Sequence, residues 1–290
     1  MSVVPDEAGV KLRDVRGPSA LSGGQKRFWE LALLIASTDF KRIYFGTALG
    51  YLWSVGRPLL LFAVLVEVFT HVFKLGSQIP HYPVFLLMNL VLFGFFQEST
   101  TTAVTSIVSQ EGVVRKTQFP RLAIPAAVVL TAFFNLCLNL IVVFVFILGF
   151  GVAPMWTWLL MPLILAMFWM LTLPVAMLLS SLYPRFRDLS IIWTVFATAL
   201  FYATPVLYSL SQVEGRSHTI AQLIAINPLT PMLELAHRWI IGPASAAPYP
   251  GTAGAGGPGK LIISLAILFG LIILSIWIFN REAPRIAEEL

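Results

Sequence analysis

Glu67 and His71 stand four residues apart in one apolar run, so they share a face of the helix that run would form. Glu98 follows Gln97 and precedes Thr100, Thr101 and Thr102 in a second run, and Asn135 and Asn139 repeat the four-residue spacing in a third. Ionisable side chains inside apolar spans are costly and mark solute paths or proton sites. The competing reading is hydrogen bonding between helices for the asparagines and a near-interface position for His71. Aromatic rings offer a second chemistry: Phe62 and Phe69 in the first run, and Trp193, Phe196, Phe201 and Tyr202 in a later one. Ring faces stack on the apolar faces of sugars, which suits a channel that passes a glycan. Core packing is the more frequent use of such residues. Trp53, Trp156, Trp158 and Tyr208 fit the interfacial belts of a membrane protein.

Catalysis finds little support. Asp6, Asp14, Asp39 and Asp188 form no pair, His71, His81, His218 and His237 are scattered, and Cys137 stands alone inside an apolar run. Neither a metal set nor a disulfide framework follows from them. Residues 21–27, LSGGQKR, match the signature string of ABC ATPases. That string caps a phosphate only beside a phosphate-binding loop, GxxxxGK[ST], and none occurs in the chain. It reads better as a Ser-Gly-Gly turn that starts a helix. The chain is therefore expected to be no enzyme, with no metal and no cofactor bound by itself.

Composition sets the class. Of 290 residues 58% are hydrophobic and 11% charged, against about 25% charged in a soluble domain; the mean hydropathy is +0.84. This is an all-α polytopic membrane protein. Six spans are predicted, at about residues 58–73, 84–108, 122–150, 155–182, 189–208 and 261–279, from the roughly 20 residues needed to cross the hydrocarbon. The first is short unless it borrows residues before Pro58. Residues 1–57 form a tail, an amphipathic helix and a membrane approach, and 58–290 the transmembrane domain. Fifteen Lys and Arg then fall on one side and four on the other, which sets both termini in the cytoplasm. The net charge of +5 sits in loops that meet lipid headgroups and does not suggest nucleic acid.

Three segments complete the design. Residues 25–38 place Phe28, Leu31, Ala32 and Ile35 on one helical stripe, with Lys26, Arg27 and Trp29 near the start; such a helix lies in the interface. Residues 109–125 form a polar island, with Gln110, Glu111, Arg115, Lys116, Phe119 and Arg121 between two membrane-length runs. Residues 220–241 are apolar but cut by Asn227-Pro228, Pro231, Glu234, His237 and Arg238. Two short helices that dip into the outer leaflet and return fit this pattern. A full extra span is disfavoured because it would bury Glu234 and Arg238.

Four passages in this order resemble the membrane subunit of ABC-2-type polysaccharide exporters: YFGTALGYLWSVGRPLL, VVRKTQFPRLAIP, YPRFRDL and NPLTPMLELAHRWIIG. The resemblance implies two copies of this chain with two copies of a separate ABC ATPase, which uses ATP and Mg. It implies export of a polysaccharide on a polyprenyl-pyrophosphate carrier, such as O-antigen, teichoic acid or galactan; an Ala-, Pro- and Arg-rich composition leans towards galactan. Gln110, Glu111, Arg115, Lys116, Phe119 and Arg121 would couple to the ATPase. Lys26, Arg27, Trp29, Lys41 and Arg42 would form a gate where the lipid-pyrophosphate enters. Phe62, Glu67, Phe69, Trp193, Phe196, Phe201 and Tyr202 would line the channel. Two alternatives stay open: an ion-coupled secondary transporter using Glu67 or Glu98, and a membrane enzyme of lipid-linked glycan synthesis.

Overall fold

The structure is a computed structural model that describes residues 24–44, 50, 52–74, 79, 81–112, 120–242 and 257–282. The tail 1–23, Gly46, Arg115, Lys116, Phe119 and the linker preceding residue 257 lie outside them. Every regular element among the described residues is helical.

α1, Gly24–Tyr44, buries Phe28, Ala32, Ala36 and Tyr44, a stripe at four-residue multiples. The two alanines let it lie close on α4, Ala123–Gly149, where the Thr131 hydroxyl reaches the Ala36 carbonyl at 3.3 Å. Lys41 and Arg42 in its last turn complement the helix dipole. Trp29, Leu33, Leu34 and Ile43 face outward.

α2, Leu52–Glu67, runs into a π-turn, Val68–Val72. The first span thus starts six residues before Pro58, and Pro58 sits inside the helix. A proline lacks the amide that would bond the carbonyl four residues earlier, here Ser54. The Asn139 amide of α4 donates to that Ser54 carbonyl at 3.2 Å and replaces the missing bond. A neighbouring helix, invisible to a span-by-span reading, keeps the turn intact.

α3, Tyr82–Ser109, has no distinctly apolar side and takes the centre: most of its apolar stretch is buried, whereas α2 is almost wholly exposed. It packs on α2, α4, α5 (Trp156–Leu182) and α6 (Leu189–Ala203). α10, Gly257–Glu282, lies on α5. Among the described residues five helices are long and apolar enough to cross a membrane: α2 with its π-turn, α3, α4, α5 and α10. α6 has 15 residues and stops before the expected end at 208. Thr204 is extended (φ −99°, ψ 146°) ahead of Pro205, the conformation a following proline favours.

Past α6, α7 (Leu210–Glu214) leads to α8 (His218–Ile226) and α9 (Leu229–Ala236), the latter continued by a π-turn, His237–Ile241. The break between α8 and α9 falls at Asn227-Pro228, as the sequence indicates. The Asn227 amide donates to the Thr204 hydroxyl at 2.7 Å, and its side-chain oxygen accepts the Leu229 amide at 3.1 Å. The hairpin is tied to α5 by Trp158, whose indole donates to the Ile240 carbonyl at 2.9 Å, and by the Thr157 hydroxyl on the Trp239 carbonyl. Burial of Glu234 is no argument against a buried segment: the hairpin itself buries it to 3% exposure, with the Leu210 amide 3.4 Å from its carboxylate.

Candidate functional site

A cavity of about 1070 Å³ opens between α1, α2, α3 and α4. Its polar wall is built from three helices. On α3, Glu98 sits in the middle of the span with Gln97, Thr101 and Thr102 beside it. On α4, Asn135 and Asn139 face the same space. On α2, Ser54 and Arg57 do. Trp53, Phe93, Phe95 and Phe201 supply rings.

The hydrogen bonds form a chain. The Tyr44 hydroxyl donates to the Asn135 side-chain oxygen at 2.9 Å, and the Asn135 amide donates to Glu98 Oε1 at 2.6 Å. Asn139 bonds the Asn135 carbonyl at 2.9 Å besides the Ser54 carbonyl. Burial, and then the nearby Glu98 carboxylate, raise the pKa of the Tyr44 phenol, so it stays a donor. The Glu98 carboxylate is thereby held in one orientation while its side chain remains open to the cavity. The asparagines both join helices and line the space; the two readings of them are not exclusive.

The other residues singled out by sequence are dispersed. Of the six rings and acids assigned to a channel besides Phe201, none lines the cavity. Phe62 is buried edge-on against Phe146 at 5.7 Å. Glu67 and His71 approach to 3.2 Å on the exposed outer part of α2. Phe69 stacks on Phe73, Trp193 packs on Phe196, and Phe196 and Tyr202 are exposed. Phe201 reaches both the cavity and Phe93, at 5.3 Å. Lys26, Arg27, Trp29, Lys41 and Arg42 are all exposed along α1. Gln110 caps α3, and Glu111 is half-buried beside it. Arg121, just before α4, is buried, with Nη1 lacking a hydrogen-bond partner among the described residues; burial lowers its pKa. Tyr44, Ser54 and Arg57 were not singled out, because nothing in their local sequence marks them as neighbours of Glu98. No three of His, Cys, Asp and Glu gather around one point among the described residues.

Five apolar helices of membrane length among the described residues, three of which enclose a polar, ring-lined cavity together with α1, define a multi-pass membrane protein with room for a solute. The chain belongs to the ABC-2 type transporter family, whose model matches residues 30–238. It is 33% identical over 207 residues to the O-antigen export system permease protein RfbA of Klebsiella pneumoniae, covering 71% of this chain and 78% of that one. It is 30% identical over 203 residues to the protein of the same name from Myxococcus xanthus, covering 70% and 77%.

Proposed function

We propose that the chain is the membrane subunit of an ABC transporter that exports a polyprenyl-pyrophosphate-linked polysaccharide, cell-wall galactan or an O-antigen-like glycan, across the bacterial plasma membrane. The carrying observation is the cavity: hydrogen-bonding side chains and rings inside a bundle of membrane-length helices suit a polyhydroxylated solute. The similarity to O-antigen export permeases supports the same reading.

In this reading two copies pair, and two separate ATPase subunits supply the energy from ATP and Mg. The α1 end of the bundle faces the cytoplasm with both termini, in line with the excess of Lys and Arg there. α1 then lies in the inner interface, where Lys26, Arg27, Lys41 and Arg42 meet the lipid-pyrophosphate as a gate beside Trp29. α6 completes a sixth crossing, and the α8–α9 hairpin dips into the outer leaflet. The residues of 110–121 dock into the ATPase. Phe62, Glu67, Phe69, Trp193, Phe196, Phe201 and Tyr202 belong to the channel assembled from both copies.

The test is co-purification with a neighbouring ABC ATPase, followed by the double substitution Arg115→Glu/Lys116→Glu. Loss of glycan export with the ATPase still able to hydrolyse ATP is expected. Normal coupling in the double variant would overturn the docking role. The position of Glu98 inside the cavity favours one rival, ion-coupled transport; transport that persists without ATP and collapses with the proton gradient would select it.

A further inference from the structure

Glu98 and Arg57 share the cavity, and the Arg57 charge acts on the Glu98 carboxylate, yet the two make no direct ion pair. Opposite charges inside a span normally close on each other; here they face one cavity without touching. The Glu98 carboxylate is fixed through Oε1 by Asn135, and Oε2 has no protein donor among the described residues. Trp53 lies one helical turn before Arg57 and is 47% exposed on the same cavity. The volume of about 1070 Å³ is just above the roughly 300–1,000 Å³ typical of small-molecule sites.

Each simpler occupant leaves part of this wall unmatched. An acyl chain would strand Glu98, Arg57, Gln97 and the asparagines without partners. A bare anion would meet Arg57 but be repelled by Glu98 and ignore the ring. A bare cation reverses the problem. A sugar ring that carries one anionic group satisfies all three elements at once. Its hydroxyls donate to a fixed carboxylate, its anion pairs with a guanidinium, and its C–H face covers an indole.

We propose that this cavity, within a single protomer, is a binding site for a saccharide bearing one anionic substituent. Glu98 accepts its hydroxyls, Arg57 pairs with the anion and Trp53 covers its apolar face. The anion is a phosphate ester at the end of the glycan or the carboxylate of an acidic sugar. The proposal deepens the export reading and rests on it for the origin of the ligand.

The test uses the full chain in nanodiscs and four probes followed by saturation-transfer NMR: α-glucosyl phosphate, methyl glucuronide, methyl glucoside and inorganic phosphate. At least one anionic sugar is expected to bind about tenfold or more tightly than methyl glucoside and inorganic phosphate, the scale of one charge-assisted hydrogen bond. Which of the two binds better identifies the anion as phosphate or carboxylate. Arg57→Gln should bring that sugar down to the level of methyl glucoside, and Arg57→Lys should keep part of the preference. Glu98→Gln should weaken methyl glucoside about tenfold and tighten inorganic phosphate, from which it removes a repelling charge. Trp53→Leu, at an exposed position, should weaken the sugars alike. Equal binding of all four probes, or an unaltered profile in the Arg57→Gln and Trp53→Leu variants, would overturn the site. ATP-driven glycan export by a wild type that binds the four probes alike would sink this site and keep the exporter. The expected probe pattern without any export would do the reverse.

Discussion

Asn139 on α4 donates its side-chain amide to the Ser54 carbonyl of α2 at 3.2 Å, the acceptor that Pro58 leaves open four residues later. One side chain thus lets α2 run through its proline. It also fixes the wall of the cavity on which Ser54 and Arg57 stand. Asn139→Leu should cost about 1–3 kcal/mol, the scale of a buried polar group left unsatisfied. In a Pro58→Ala background, where the backbone can make its own bond, the same substitution should cost clearly less. A double-substitution cycle of unfolding in detergent measures the difference; additive costs would show that the two residues do not act on one bond.

α2 has little else to hold it. Phe62 and Ser54 are its buried residues, and Phe62 meets Phe146 of α4 edge-on. Phe62→Ala should remove about 3 kcal/mol and loosen α2 before the rest of the bundle. Thiol labelling of a cysteine placed at Leu59, which faces the same core, should speed up selectively. An unchanged labelling rate would mean that contacts with a second copy hold α2.

The hairpin hangs on Asn89. Its amide donates to the Pro205 and Val206 carbonyls at 3.2 and 2.9 Å, and its oxygen lies 2.5 Å from His237 Nε2, all fully buried. Asn89→Leu strands the imidazole and two carbonyls, so a loss of about 1–3 kcal/mol or more is expected. Hydrogen exchange should rise first in the α9 segment and its π-turn. Protection that falls evenly over the whole chain would contradict a local anchor.

Asp39 on α1 carries a carboxyl that burial raises above its ordinary range, with Arg42 partly opposing. A carboxyl with a raised folded pKa binds its proton more readily in the folded state. Its contribution therefore favours the fold at low pH and is lost as pH rises from about 4 through the raised value. Asp39→Asn should remove this slope and make the protein more heat-stable at neutral pH, as thermal unfolding between about pH 4 and 7 will show. A variant less stable than wild type at neutral pH would mean that the Arg42 attraction outweighs burial.

Much of the architecture was legible because it is local. Length and apolar content placed α3, α4 and α5 within two residues of their ends, and the four-residue stripe of Phe28 and Ala32 announced α1. Asn227-Pro228 announced the break in the hairpin. Two limits were misread. Pro58 looked like a start, and Thr204-Pro205, itself a stop signal, was passed over inside an apolar run that continues to Tyr208.

By itself the sequence determined the membrane class, the helical content and the stretches that must leave water, since apolar runs of sufficient length have no other stable place. Only the tertiary structure decided which side of each helix meets which neighbour. α3 has no side distinctly more apolar than the rest, so nothing in its pattern assigns it an inner face. Glu98 acquires one only because Asn135, 37 residues away, reaches it, and because Tyr44, 91 residues from Asn135, orients that amide. Hydrogen bonds between helices follow from packing, and packing depends on all the helices at once.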